Sequence, residues 1–137
     1  AVNSSFFILF SVLLFAISTD AFAQSSFQMP LGTFSGSGKI VGKVHTVKLV
    51  NELGNFLLTY GGATKCTTIL KETSNPGLFE ETDIWDSKTG KVSTKSCQEK
   101  GFVFLVKTRT GLTYHWGANK DEATAKPSPV MLKKIKN

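Results

Sequence analysis

From residue 31 onward the chain breaks into apolar-rich runs, mostly five to eight residues long, each closed by a turn signal. That rhythm constrains the fold more than any other feature. The runs are LGTFSG (31–36), KIVGKVHTVKLV (39–50), FLLTYG (56–61), CTTILKE (66–72), LFEETDIW (78–85), GFVFLVK (101–107), LTYHW (112–116) and VMLKKI (130–135). Between them stand NELGN, TSNPG, DSKTGK and TRTG, rich in the residues that accept turn conformations. Val, Thr, Phe and Tyr dominate the runs, and short strands at such spacing read as an antiparallel meander. No segment beyond residue 23 keeps a 3.6-residue period over three turns. The stretch 118–126 offers one short helical turn, ended by Pro127 and Pro129. The expectation is an all-β domain: an up-and-down barrel or clam of about eight strands, whose closure removes the edges that a small β-protein must otherwise protect. A two-sheet β-sandwich is the alternative.

The first part of the chain has a different character. Residues 6–17, FFILFSVLLFAI, form an apolar run broken only by Ser11, and Ala21 and Ala23 follow with the spacing of a cleavage site. The run falls short of the ~20 residues a bilayer span needs and matches the apolar region of an export leader. The division expected is 1–23 as signal peptide and 24–137 as the β-domain. If residues 1–23 were retained, they would form an anchor helix and hold the domain to the extracytoplasmic side of a membrane. All 16 Lys and Arg lie beyond residue 23, as do all the acidic residues except Asp20, in a chain of net charge +6. A basic exported domain favours anionic surfaces or acidic proteins as partners, and export makes nucleic acid an unexpected one. The same charge also serves solubility alone.

Cys66 and Cys97 are the only cysteines. In an oxidising compartment an even count reads as a disulfide. The alternatives are two free thiols, or a Cys2His2 metal site with His45 and His115. Zinc ligands normally come as closely spaced pairs, which these four do not form, so the disulfide is the reading kept and no metal is expected.

Alternation places Phe102, Phe104 and Val106 on one face of their strand, with Val103, Leu105 and Lys107 on the other. In the next strand Leu112, Tyr114 and Trp116 oppose Thr113 and His115, which predicts one wet face. The turn TRTG lets the two pair as a hairpin, with aromatic residues meeting as cross-strand neighbours. The series GTFSGSG, LLTYGGATKC, LFEETDIW, SC, GFVFLVK, LTYHW and VMLKKI resembles a family of small extracytoplasmic, calycin-type barrels of no established activity. In that family a Tyr-to-Cys strand, an aromatic-x-Glu strand, a second Cys and a Tyr-x-Trp strand follow in order. The resemblance implies a lipocalin-like barrel, a Cys66–Cys97 bridge, and Tyr60, Glu81, Tyr114 and Trp116 at the characteristic positions. This chain departs from the pattern in the length of YGGATKC and in Asp83, where an apolar residue would sit.

No catalytic signature is present. The two histidines lack a Gly-x-Ser-x-Gly nucleophile elbow, and GSG at 36–38 is too short to serve as one. The glycines of GTFSGSGKIVGK lack the Gly-Lys-Ser/Thr ending of a phosphate loop and suit a bent strand instead. Glu80 and Glu81 point to opposite faces, so they cannot form a carboxylate pair. Whether Glu81 faces the interior is left open by the pattern. If it does, it is the best candidate for a functional buried polar group. Tyr60, Glu81, Trp85, Tyr114 and Trp116 are therefore the candidate ligand-binding residues, with packing as the competing role for the aromatics. The function expected is non-catalytic binding, without cofactor, of a small apolar ligand, an anionic envelope component or another protein. The alternative is a structural accessory subunit of a membrane complex, held by a retained N-terminal helix.

Overall fold

The computed structural model describes residues 27–52 and 54–136. The expected leader or anchor lies outside this range. Eight strands form a closed antiparallel barrel: β1 (Gly32–Ile40), β2 (Lys43–Glu52), β3 (Asn55–Gly62), β4 (Cys66–Glu72), β5 (Leu78–Thr82), β8 (Phe102–Lys107), β9 (Gly111–Gly117) and β10 (Val130–Lys136). Neighbours in sequence pair throughout, and β10 returns to β1. Two strands stand outside: β6 (Trp85–Asp86) and β7 (Lys91–Val92), a small hairpin on the long β5–β8 connection. The β9–β10 connection carries the helix α1 (Lys120–Thr124), capped by Asn119, whose side chain accepts from the Glu122 amide.

The meander expected from the run-and-turn rhythm is thus the observed fold, closed rather than split into a sandwich. Closure brings β10 against glycines on both flanks. A Cβ at Gly36 would overlap the carbonyl oxygen of Met131, and one at Gly111 would overlap that of Leu132. At this point the GSG segment serves close backbone approach.

Inward positions are filled by Phe34, Val47, Leu49, Leu58, Leu70, Phe79, Val103, Leu105, Leu112, Val130 and Leu132. The two ends differ. At one, Phe27 packs edge-on against Phe79 at 5.9 Å, and Phe56 does so at 5.8 Å. There Asn51 Nδ2 donates to the carbonyls of Met29 and Pro30, so the chain approaching β1 closes the barrel. The other end carries the β1–β2 turn and the long β5–β8 and β9–β10 connections.

Two expectations about the Cys97–Trp116 stretch need correction. The register pairs Val103 with Trp116 and Leu105 with Tyr114, so the inward aromatics oppose aliphatic residues. Phe102 and Phe104 lie on the outer face, where Lys120 Nζ stands 5.9 Å from the Phe102 ring and Lys126 Nζ 5.9 Å from the Phe104 ring. Nor is the outer face of β9 wet. α1 and the chain after it cover His115, and Ala123 is fully buried there. Alternation sorts residues onto two faces, but it does not say which face of β8 turns inward or that a later segment folds back over one face of β9.

Candidate functional site

The interior near the open end contains a polar cluster built around Glu81. Glu81 is 4% exposed, and its carboxylate accepts from four donors. Oε2 takes the Tyr60 hydroxyl at 2.7 Å and the Thr68 hydroxyl at 2.9 Å. Oε1 takes the Trp116 indole Nε1 at 2.7 Å and the Gly101 amide at 3.1 Å. With the Tyr60 proton given to Glu81, Tyr114 donates to the Tyr60 oxygen at 2.6 Å. The group thus spans the barrel from β3 to β9. Among the described residues no Lys or Arg reaches it, and the ion pair found there is Lys100–Asp83, at 2.8 Å. Removing a carboxylate from water without a cation is costly. Here charge-assisted hydrogen bonds, individually worth about 1.5–3 kcal/mol, offset that cost.

Burial, then the neighbouring Tyr114 and the Glu81 carboxylate, push the Tyr60 hydroxyl well above its ordinary range. Burial and Glu81 do the same to Tyr114, against the hydrogen bond to Tyr60. Both phenols therefore stay protonated donors. Each of Glu81's acceptor positions is occupied, so the carboxylate is committed to the protein.

Four of the five candidate residues, Tyr60, Glu81, Tyr114 and Trp116, meet in this cluster. Trp85 does not, because β5 ends at Thr82 and Trp85 falls on the outer hairpin, 66% exposed. Asp83 likewise leaves the face of Glu81 and bonds Lys100 and Ser96 instead; those contacts hold its carboxyl below the usual range. Thr68 and Gly101 complete the cluster and were not singled out from the sequence. Thr68 was recoverable, since it shares a face with Leu70 in CTTILKE. Gly101 contributes through its backbone and carries no side-chain signal.

Above the cluster lies an open cleft of about 370 Å3, lined by Ile40, Val41, Trp116, Gly117, Glu122, Ala125, Pro127 and Ser128. Trp116 belongs to both, its indole N–H pointing down to Glu81 and its ring forming part of the cleft wall. Val41, Lys126 and Ser128 adopt φ of 49°, 57° and 25°. Positive φ is unfavourable for non-glycine residues, above all for β-branched Val. Val41 and Ser128 line this cleft, and Lys126 stands in the chain between two lining residues, Ala125 and Pro127.

Searches of known protein families, curated proteins and solved structures give no match to this chain.

The predicted bond between Cys66 and Cys97 is present, with the Cα atoms 4.8 Å apart, so neither cysteine is free for a metal. Among the described residues no group of His, Cys, Asp and Glu is arranged to hold a metal ion.

His45 faces inward beside Tyr60, the rings 6.3 Å apart. It bonds the Lys43 carbonyl through Nδ1 and lies 3.4 Å from the Thr64 hydroxyl through Nε2. His115 holds the wall of the cleft: Nδ1 donates to the Pro127 carbonyl at 3.2 Å, and Nε2 bonds the Thr113 hydroxyl at 3.1 Å. Burial, reinforced by the Lys126 charge and opposed by the Pro127 bond, lowers the His115 pKa below its ordinary 6.5.

A group that is depressed on folding binds its proton more readily in the unfolded chain. His115 therefore contributes stability that is present above about pH 6.5 and lost as pH falls through the lower folded value. Urea midpoints measured from pH 7 to 5 are expected to fall for the native chain. His115→Gln should show a flatter profile over the same interval.

Proposed function

We propose that the protein is an exported, non-catalytic binding protein that takes a small, largely apolar ligand in the cleft above Trp116. The cleft carries this reading, because its wall combines Ile40, Val41, Ala125 and Pro127 with one indole face and a single carboxylate, Glu122. An apolar wall with few polar groups is the usual makeup of a small-molecule site. Positive-φ residues at Val41 and Ser128 in its lining support it, since strained backbone tends to persist at ligand clamps. The saturated hydrogen bonding of Glu81 speaks against acid–base work at this position. A buried disulfide is consistent with an oxidising, extracytoplasmic location, and this fits the leader-like character of residues 1–23.

The chain has two tryptophans, so Trp85→Phe leaves Trp116 as the sole indole reporter. Titration with an anilinonaphthalene sulfonate probe, a small apolar anion, is expected to change Trp116 emission saturably. Ala125→Phe, which fills the cleft, should abolish the change while leaving the melting transition in place. A linear, unsaturable response, or one indifferent to Ala125→Phe, would count against the cleft as the site.

A further inference from the structure

The β6–β7 hairpin holds a Trp in solvent for no reason internal to the fold. Trp85 is 66% exposed and Val92 43%, and they face one another as a cross-strand pair. Their support is firm. Asp83 bonds Lys100 and Ser96, the Ser93 amide bonds the Ile84 carbonyl at 2.7 Å, and the disulfide pins Cys97 to β4. Around the pair, Lys88, Lys91 and Lys95 are exposed and have no carboxylate partner among the described residues. Asp86 is the one acid on the hairpin, and its Oδ1 is turned to the Lys88 amide at 2.9 Å.

The opposite side of the same barrel end repeats this chemistry. In barrel order β1 lies four places from β5, so the β1–β2 turn stands across the mouth from the hairpin. It presents Val41, 76% exposed, and Val44, 59% exposed, beside the exposed Lys39 and Lys43. The end thus carries two separated apolar points set among unpaired lysines. A protein interface would want one contiguous apolar centre depleted in Lys. Trp and aliphatic points flanked by Lys instead match a headgroup boundary.

We infer that the open end of the barrel docks on an anionic phospholipid bilayer. Trp85 and Val92 enter the headgroup–acyl boundary from one side and Val41 from the other, while the lysines engage lipid phosphates. The inference is independent of whether the cleft holds a ligand.

The test uses the full chain and vesicles of anionic phospholipid with brominated acyl chains, which quench an indole at close range. Trp85 emission is read as the difference between the native chain and Trp85→Phe. This isolates the hairpin even if residues 6–17 themselves attach to lipid. The difference signal should fall about twofold or more on anionic vesicles, stay unchanged on zwitterionic ones, and recover when salt shortens the screening length. Replacing Lys88, Lys91 and Lys95 with Ser should weaken the effect by roughly fivefold per lysine. An unchanged difference signal overturns the proposal and leaves Trp85 to a protein partner. Equal quenching on both vesicle types, or indifference to the lysine changes, overturns it as well.

Discussion

Replacing Glu81 with alanine is expected to cost on the order of 4 kcal/mol of stability. The substitution leaves the Trp116 indole N–H and the Gly101 amide without acceptors inside the barrel, and also opens a cavity. Tyr60 and Thr68 suffer less, because a hydroxyl can turn. For a domain of this size the loss is a large share of the total. Glu81→Gln should cost only about 1–2 kcal/mol. Its oxygen keeps the two fixed donors that Oε1 now serves, and its amide nitrogen faces the two hydroxyls that now bond Oε2, which become acceptors by rotation. Urea unfolding of the two variants measures the contrast. Equal losses in both would show that charge, rather than donor satisfaction, governs the cluster. A negligible loss in Glu81→Ala would show that the interior reorganises or admits water.

Removing the disulfide, by Cys66→Ala with Cys97→Ala, is expected to destabilise the domain by about 3–4 kcal/mol through the freedom returned to the unfolded chain. The bond closes a separation of 31 residues, and the corresponding fall in melting temperature is about 10–15 °C. A local effect should accompany it. The bridge holds residues 93–101 against β4, where the Thr67 amide donates to the Lys95 carbonyl at 2.8 Å and the Cys97 amide to the Thr67 carbonyl at 3.2 Å. Gly101, which bonds Glu81, follows directly. Loosening that segment should therefore weaken near-ultraviolet signals from Trp116 at temperatures where the barrel is still folded. Loss of stability with an unperturbed Trp116 signal would mean that the bridge acts on the unfolded chain alone.

Much of this architecture was legible residue by residue. Alternation in FVFLVK and LTYHW separates Leu105 from Phe104 and Tyr114 from His115 because strand side chains alternate with period two. Yet it does not say which face of FVFLVK turns inward, and Phe102 and Phe104 lie outside. TSNPG and TRTG mark the turns because few residues accept those backbone angles. Other features were not legible. LFEETDIW reads as one strand, yet backbone pairing with β8 ends at Glu80 and the strand itself at Thr82, so Trp85 leaves the interior. The outer face of β9 reads as wet, yet the chain after α1 folds over His115 through Pro127, and no local pattern announces a segment that folds back from a distance.

The sequence by itself determined a meander of short strands, the alternation within each, most of the turns and the pairing of two cysteines, because these follow from local periodicity, composition and turn chemistry. Only the tertiary structure decided that Tyr60, Thr68, Glu81, Gly101, Tyr114 and Trp116 share one set of hydrogen bonds. Barrel closure brings β3 and β9 across a common interior, and that distance is set by the curvature of the whole sheet, which no single strand encodes.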